Sequence, residues 1–172
     1  MARLLWISLL AGCSSTVVDI STISFDKSAY DVDNNCIDGC GGDLITATIT
    51  VEEDISAGAG AELTVRQYRI DYTIPALSDE EEEVPYFAAA LSSQVVGFGE
   101  ELSLTLQPVG NTQRAWVFSR AGSAAISASA VLTIEGHDQQ NTLLQLESDA
   151  FTITFSDVAA ATGSAGGSDT GL

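Results

Sequence analysis

The segment Thr64-Val65-Arg66-Gln67-Tyr68-Arg69-Ile70-Asp71-Tyr72-Thr73-Ile74 decides the fold. From Gln67 onward it alternates without a break. Tyr68, Ile70, Tyr72 and Ile74 carry apolar bulk, while Gln67, Arg69, Asp71 and Thr73 are polar. Successive side chains of a strand point to opposite faces, so this spacing predicts a β-strand with one face in a core and the other in water.

The same period recurs on both sides of it. Residues 44–52 set Ile45, Ala47, Ile49 and Val51 toward the core against Leu44, Thr46, Thr48 and Thr50. Residues 102–107 turn Leu102, Leu104 and Leu106 inward. Residues 125–135 alternate Ile126, Ala128, Ala130, Leu132 and Ile134 with Ser127, Ser129, Val131, Thr133 and Glu135. A strand at 17–25 opens the domain, and one at 151–155 closes it with Phe151, Ile153 and Phe155 inside. Shorter strands are expected at 84–87, where Pro85 restricts pairing to a sheet edge, at 112–118 and at 143–146. No window of a dozen residues carries a helical stripe; only 83–91, with Ala88-Ala89-Ala90, accommodates a helical turn. Seven to nine short strands separated by Gly, Asn and Asp clusters predict an all-β antiparallel sandwich over residues 17–157.

The chain has 172 residues and a formal net charge of −18, with only 6 Lys and Arg. That excludes a nucleic-acid binder and docking on anionic lipid through a polybasic patch, since both need clustered cations. Yet 45% of residues are hydrophobic and 17% charged, which is not the profile of a disordered acidic chain. The last residues, 158–172, are mostly Ala, Gly, Ser and Thr with little to bury, and are expected to be a disordered tail.

The first residues read Met1-Ala2-Arg3, then Leu4-Leu5-Trp6-Ile7-Ser8-Leu9-Leu10-Ala11-Gly12-Cys13. One cation, a short apolar stretch and small residues form the three-part pattern of an export signal. As a helix, residues 4–12 would reach about 13 Å, against about 30 Å for a bilayer core, so they do not span. Leu10-Ala11-Gly12-Cys13 resembles the lipobox of bacterial lipoproteins. The resemblance implies that residues 1–12 are a signal peptide, that Cys13 receives a diacylglyceryl group and further acylation such as palmitate, and that 13–16 form a lipidated tether. Losing Arg3 makes the remainder one charge more acidic. Ser14 stands where that family carries Asp for inner-membrane retention, which, in a Gram-negative source, implies the outer membrane.

The hairpin Ile134-Glu135-Gly136-His137-Asp138-Gln139-Gln140-Asn141 resembles the final hairpin of bacterial immunoglobulin-like modules, with Gln140 where those modules usually have Gly. Together with the lipobox, the layout is similar to uncharacterised envelope lipoproteins carrying one immunoglobulin-like domain. The resemblance implies a non-catalytic structural, accessory or recognition module, anchored by lipid and facing an envelope or extracellular protein or glycan partner.

Candidate sites are few. With Cys13 acylated, Cys36 and Cys40 remain as an even pair in an oxidising compartment, which predicts a disulfide worth about 2 kcal/mol for so small a loop. Asp31, Asp33, Asn35, Asp38 and Asp43 flank those cysteines and offer oxygen ligands for calcium, although the EF-hand spacing fails at Cys36 and Gly42. A calcium-dependent adhesion or carbohydrate-binding module is the rival reading. The five consecutive acids Asp79-Glu80-Glu81-Glu82-Glu83 are expected to form a solvated loop, or to contact a divalent cation or a basic partner. Arg114, Trp116, Phe118 and Arg120 recur every second residue; on a strand they would share one face, either as a sugar or anion patch or as core with Arg stems reaching outward. No catalytic set emerges: His137, the only histidine, is expected in an exposed turn, and no nucleophile elbow or metal-binding His pair is present. An envelope hydrolase is the alternative from another class.

Overall fold

The computed structural model describes residues 20–34, 42–51, 62–78, 83–97, 99–139 and 141–157. Among these residues nine strands and one helix run in the order β1 (Ile20–Phe25), β2 (Ala29–Asp33), β3 (Ile45–Val51), β4 (Glu62–Thr73), a 3-10 turn (Pro75–Leu77), β5 (Phe87–Gly97), β6 (Glu101–Leu106), α1 (Asn111–Ala121), β7 (Ile126–Asp138), β8 (Leu143–Glu147) and β9 (Phe151–Ser156). They form a three-stranded sheet, β1-β3-β6, and a six-stranded sheet, β2-β9-β7-β4-β5, in which β8 pairs with β7. All pairings are antiparallel except β2 with β9. The expected all-β sandwich is therefore the architecture.

One core draws on both sheets. Ile45, Ala47, Ile49 and Val51 of the small sheet are fully buried, as are Ile70, Ala130 and Leu132 of the large one. Aromatic contacts bridge the layers: Phe25 on β1 packs on Phe151 of β9 with centroids 4.7 Å apart, and Tyr30 meets the same ring edge-on at 5.7 Å. The inward sets expected for 44–52, 64–74, 125–135 and 151–155 are all buried. Register slips in β4 between Val65 and Gln67, opposite residues 90–94 of β5. Arg66 and Gln67 are consequently both exposed, and the alternation that buries Leu63 and Val65 resumes at Tyr68 shifted by one residue.

Several local expectations are overturned. Residues 112–118 are helical, and so the period-two stripe of Arg114, Trp116, Phe118 and Arg120 does not share a face. A helix turns about 100° per residue, so positions two apart point in nearly opposite directions. Residues 83–91 hold no helical turn, because Ala88-Ala89-Ala90 belongs to β5, where pairing with β4 overrides their helical propensity. The expected strand at 84–87 is irregular backbone until Phe87 begins β5. β2 lies within what reads as an acidic loop. Its Tyr30 and Val32 are fully buried while Asp31 points to solvent, and it pairs with β9. Of the first expected strand, 20–25 is β1 and 17–19 fall outside the described residues.

His137 is not in an exposed turn. It sits half-buried on β7 between Thr64 and Leu143. The turn follows it, where Asp138 accepts from the Thr142 N–H at 2.7 Å and Asn141 adopts φ +63°.

Candidate functional site: an aromatic cleft beside the helix

The cleft is built from the end of β4. Its inward tyrosines reach beyond the core to the 107–110 connector. The Tyr68 hydroxyl donates to the Gln107 carbonyl and accepts from the Gln107 N–H, both at 3.1 Å. Tyr72 donates to the Pro108 carbonyl at 2.6 Å. Burial, followed by the neighbouring Tyr68 and the charge of Asp71, pushes the Tyr72 phenol well above its ordinary range, so it acts as a neutral donor.

These bonds fix where α1 starts. Gly110 precedes the helix, and its N–H donates to Gln113 Oε1 at 3.1 Å, one half of a capping box. A Cβ at Gly110 would lie 2.8 Å from the Phe87 ring, so only glycine lets β5 and the helix entry approach this closely. Gln113, 3% exposed, also donates from Nε2 to the carbonyls of Tyr86 at 2.7 Å and Pro85 at 3.2 Å. One buried amide thus joins the first turn of the helix to the segment that enters β5.

Between these supports lies a cavity of about 290 Å³. Its walls are Tyr72 and Thr73 of β4, Ile74, Leu77 and Ser78 of the following turn, Glu83 and Val84, and Trp116 from α1. Trp116 is buried, and its indole N–H has no acceptor among the described residues. The guanidinium of Arg120, one turn along, lies 3.9 Å from the indole ring centre and donates to the Ser119 hydroxyl at 3.1 Å. Among the described residues the lining offers aromatic surface, the Thr73 and Ser78 hydroxyls beside the engaged phenol of Tyr72, and one carboxylate, with no His or Cys. That chemistry suits holding a ligand by its apolar body and a hydrogen-bonding or cationic tip.

The proposed patch is thereby divided. Arg120 and Trp116 stack at the cleft. Phe118 is 41% exposed. Arg114, 7% exposed, faces the opposite way and donates from Nη1 to the Asp33 carbonyl at 2.5 Å. Burial pulls its basicity down, and nearby Asp33 partly restores it.

Arg114 helps close the neck of the acidic loop. Val32 bridges Gly42, and the Asp43 N–H donates to the Asp31 carbonyl at 2.9 Å. Asp43 Oδ2 accepts from the Asp31 N–H at 3.0 Å and pairs with Lys27 at 2.6 Å. Asn34 donates from Nδ2 to the Gly122 carbonyl at the end of α1. Of the candidate calcium ligands, Asp31, Asp33 and Asp43 are described, and Asp43 already spends an oxygen on Lys27, which holds its carboxyl below the usual range. Among the described residues no group of three or more His, Cys, Asp or Glu is placed to hold a metal ion. Asn35, Asp38, Cys36, Cys40 and Cys13 lie outside the described residues, as do 1–12, 79–82 and 158–172.

Sequence reasoning counted Tyr72 and Ile74 as core alone and did not connect them with Trp116, 42 positions beyond Ile74. The legible signal for the helix that joins them was Gly110 with Gln113 three residues on, and Gly122 at φ +60° after the last turn.

No family model matches the chain, and none of the curated proteins does. Among solved structures, the crystal structure of Spo0M, sporulation control protein, from Bacillus subtilis is similar at 13% identity and a TM-score of 0.32. The match covers 78% of this chain and 49% of that one, so this chain spans about half the length of that protein.

Proposed function

We propose that this chain is an exported, lipid-anchored envelope protein whose β-sandwich serves as a non-catalytic binding or accessory module. The observation that carries the reading is Leu10-Ala11-Gly12-Cys13 behind a cationic start and a short apolar stretch. The cleft at Trp116 supports the binding role, since its described lining offers aromatic walls and polar rims. The sandwich is read as immunoglobulin-like. In favour, β1-β3-β6 follow the order of strands A, B and E, and β9-β7-β4-β5 that of G, F, C and C′.

Metabolic labelling with palmitate tests the anchor. The wild-type chain should incorporate label and sediment with membranes, and Cys13→Ser should do neither. Recovery of an unacylated chain that keeps residues 1–12 would overturn the assignment.

A further inference from the structure

We infer that β5 is a docking edge for an extended, basic segment of a partner protein, which adds as a further strand and seats a side chain in the adjoining Trp116 cleft. The inference rests on the reading of this chain as a binding module and names the partner's chemistry.

β5 ends the large sheet, and among the described residues it pairs only with β4. A free edge presents a row of unpaired N–H and C=O groups, which proteins usually blunt with charge, proline or a short strand. Along 87–90 β5 has none of these, while a bulge interrupts it at 91–93 and the Glu100 carboxylate accepts from the Gly97 N–H at its far end. It is 11 residues long, contains no charged residue and no proline, and leaves Ala88, Ala90 and Val95 exposed. The outer strands of the small sheet, β1 and β6, have six residues each, and β2 has five with two aspartates. The bulge opposite Arg66 leaves 87–90 as a regular pairing segment.

That segment adjoins the cleft. Phe87 pairs with Ile70, two residues before Tyr72, and Glu83 and Val84 lie just ahead of Phe87 in the chain. Strand addition takes its affinity from main-chain hydrogen bonds and its selectivity from neighbouring pockets for side chains. Here the pocket combines the Trp116 and Tyr72 rings with the Glu83 carboxylate, a setting for a Lys or Arg side chain.

Charge selects the occupant. A second copy would bring another −18 against this edge, and such self-repulsion opposes pairing. Acidic residues bracket the strand, with Glu62 opposite Gly97 and Glu100 and Glu101 following it. Of the three nearby cations, Arg69 is bound to Asp71 at 2.5 Å and Arg120 lies on the Trp116 ring at 3.9 Å, so a basic side chain enters the cleft from the Glu83 side, and Arg66 stands at the bulge. A cationic strand meets attraction where a copy of this chain meets repulsion.

The test titrates fluorescent peptides of about ten residues with the full chain and follows anisotropy. A peptide alternating Val and Lys should bind, and one alternating Val and Glu should not. A fully N-methylated Val/Lys peptide keeps its charge but loses its main-chain donors, and should bind at least about tenfold more weakly. Ala90→Lys, at an exposed position, should weaken the unmethylated peptide by a similar factor. Equal binding by the N-methylated peptide, indifference to Ala90→Lys, or no binding of the Val/Lys peptide would each overturn the inference. Sedimentation showing a dimer that Ala90→Lys abolishes would assign β5 to a second copy and overturn the basic partner. Acylation at Cys13 is read separately, so failure here leaves the anchor standing, and failed acylation leaves the edge standing.

Discussion

Arg114 Nη1 reaches the main-chain carbonyl of Asp33 at 2.5 Å, joining residues 81 positions apart. The bond fastens α1, which leads into β7, to the end of β2, where the acidic loop leaves the sheet. A charged donor to this part-buried carbonyl is stronger than a neutral one, and the guanidinium itself is buried, so its loss removes a bond that water replaces only in part. Arg114→Met keeps apolar bulk and removes the donor, and should lower stability by about 1–3 kcal/mol in urea unfolding. Arg114→Lys should recover part of that loss. A Met variant within about 0.5 kcal/mol of the parent, the range of an ordinary surface change, would show that the contact is incidental.

Gln113 offers a sharper dissection because it both accepts and donates. Its Oε1 accepts from Gly110, and its Nε2 donates to Pro85 and Tyr86. Gln113→Ala leaves one donor and two acceptors without their partner and should cost about 2–3 kcal/mol. Gln113→Glu keeps the acceptor for Gly110 but sets a carboxylate against two carbonyls, and should be no better than Ala. Hydrogen exchange in both variants should quicken at Tyr86 and Phe87 before the global transition. Exchange there that matches the parent would mean that the amide does not hold this wall of the cleft.

The strands with one clean apolar face were legible, and the elements that break that pattern were not. Ile45 to Val51 and Tyr68 to Ile74 alternate because each strand has one side in the common core, and a two-residue period survives any error in the ends. β2 was hidden by Asp31 and Asp33, which read as loop chemistry although Tyr30 before them and Val32 between them are fully buried. β5 was hidden by alanine, whose preference for helix is small beside the hydrogen bonds β4 supplies. α1 was hidden by coincidence: Arg114, Trp116, Phe118 and Arg120 mimic a strand, while the buried positions Gln113, Arg114, Trp116 and Val117 follow helical spacing. Missing the helix meant missing the cleft, since only a turn of about 100° per residue brings Trp116 beside Tyr72 while carrying Arg114 away from it.

The buried tyrosines predict how the fold fails in alkali. Burial raises the phenols of Tyr30, Tyr68 and Tyr72 above the ordinary 10.0, and for Tyr30 the hydrogen bond to Asp26, at 2.7 Å, adds to it. The folded state therefore holds these three protons more tightly than the unfolded chain. Their contribution is complete below pH 10.0 and drains away as pH climbs through the raised values, because the unfolded chain ionises first. In a Tyr86→Phe chain, which removes the exposed phenol, tyrosinate absorbance should rise in one cooperative step together with loss of the far-ultraviolet strand signal. Tyr72→Phe deletes the hydroxyl that holds Pro108 and should cost about 1 kcal/mol at neutral pH while making the alkaline loss shallower. Gradual ionisation of these tyrosines with the strand signal intact would mean that their hydroxyls reach water, and that the Pro108 connector is held by something other than Tyr72.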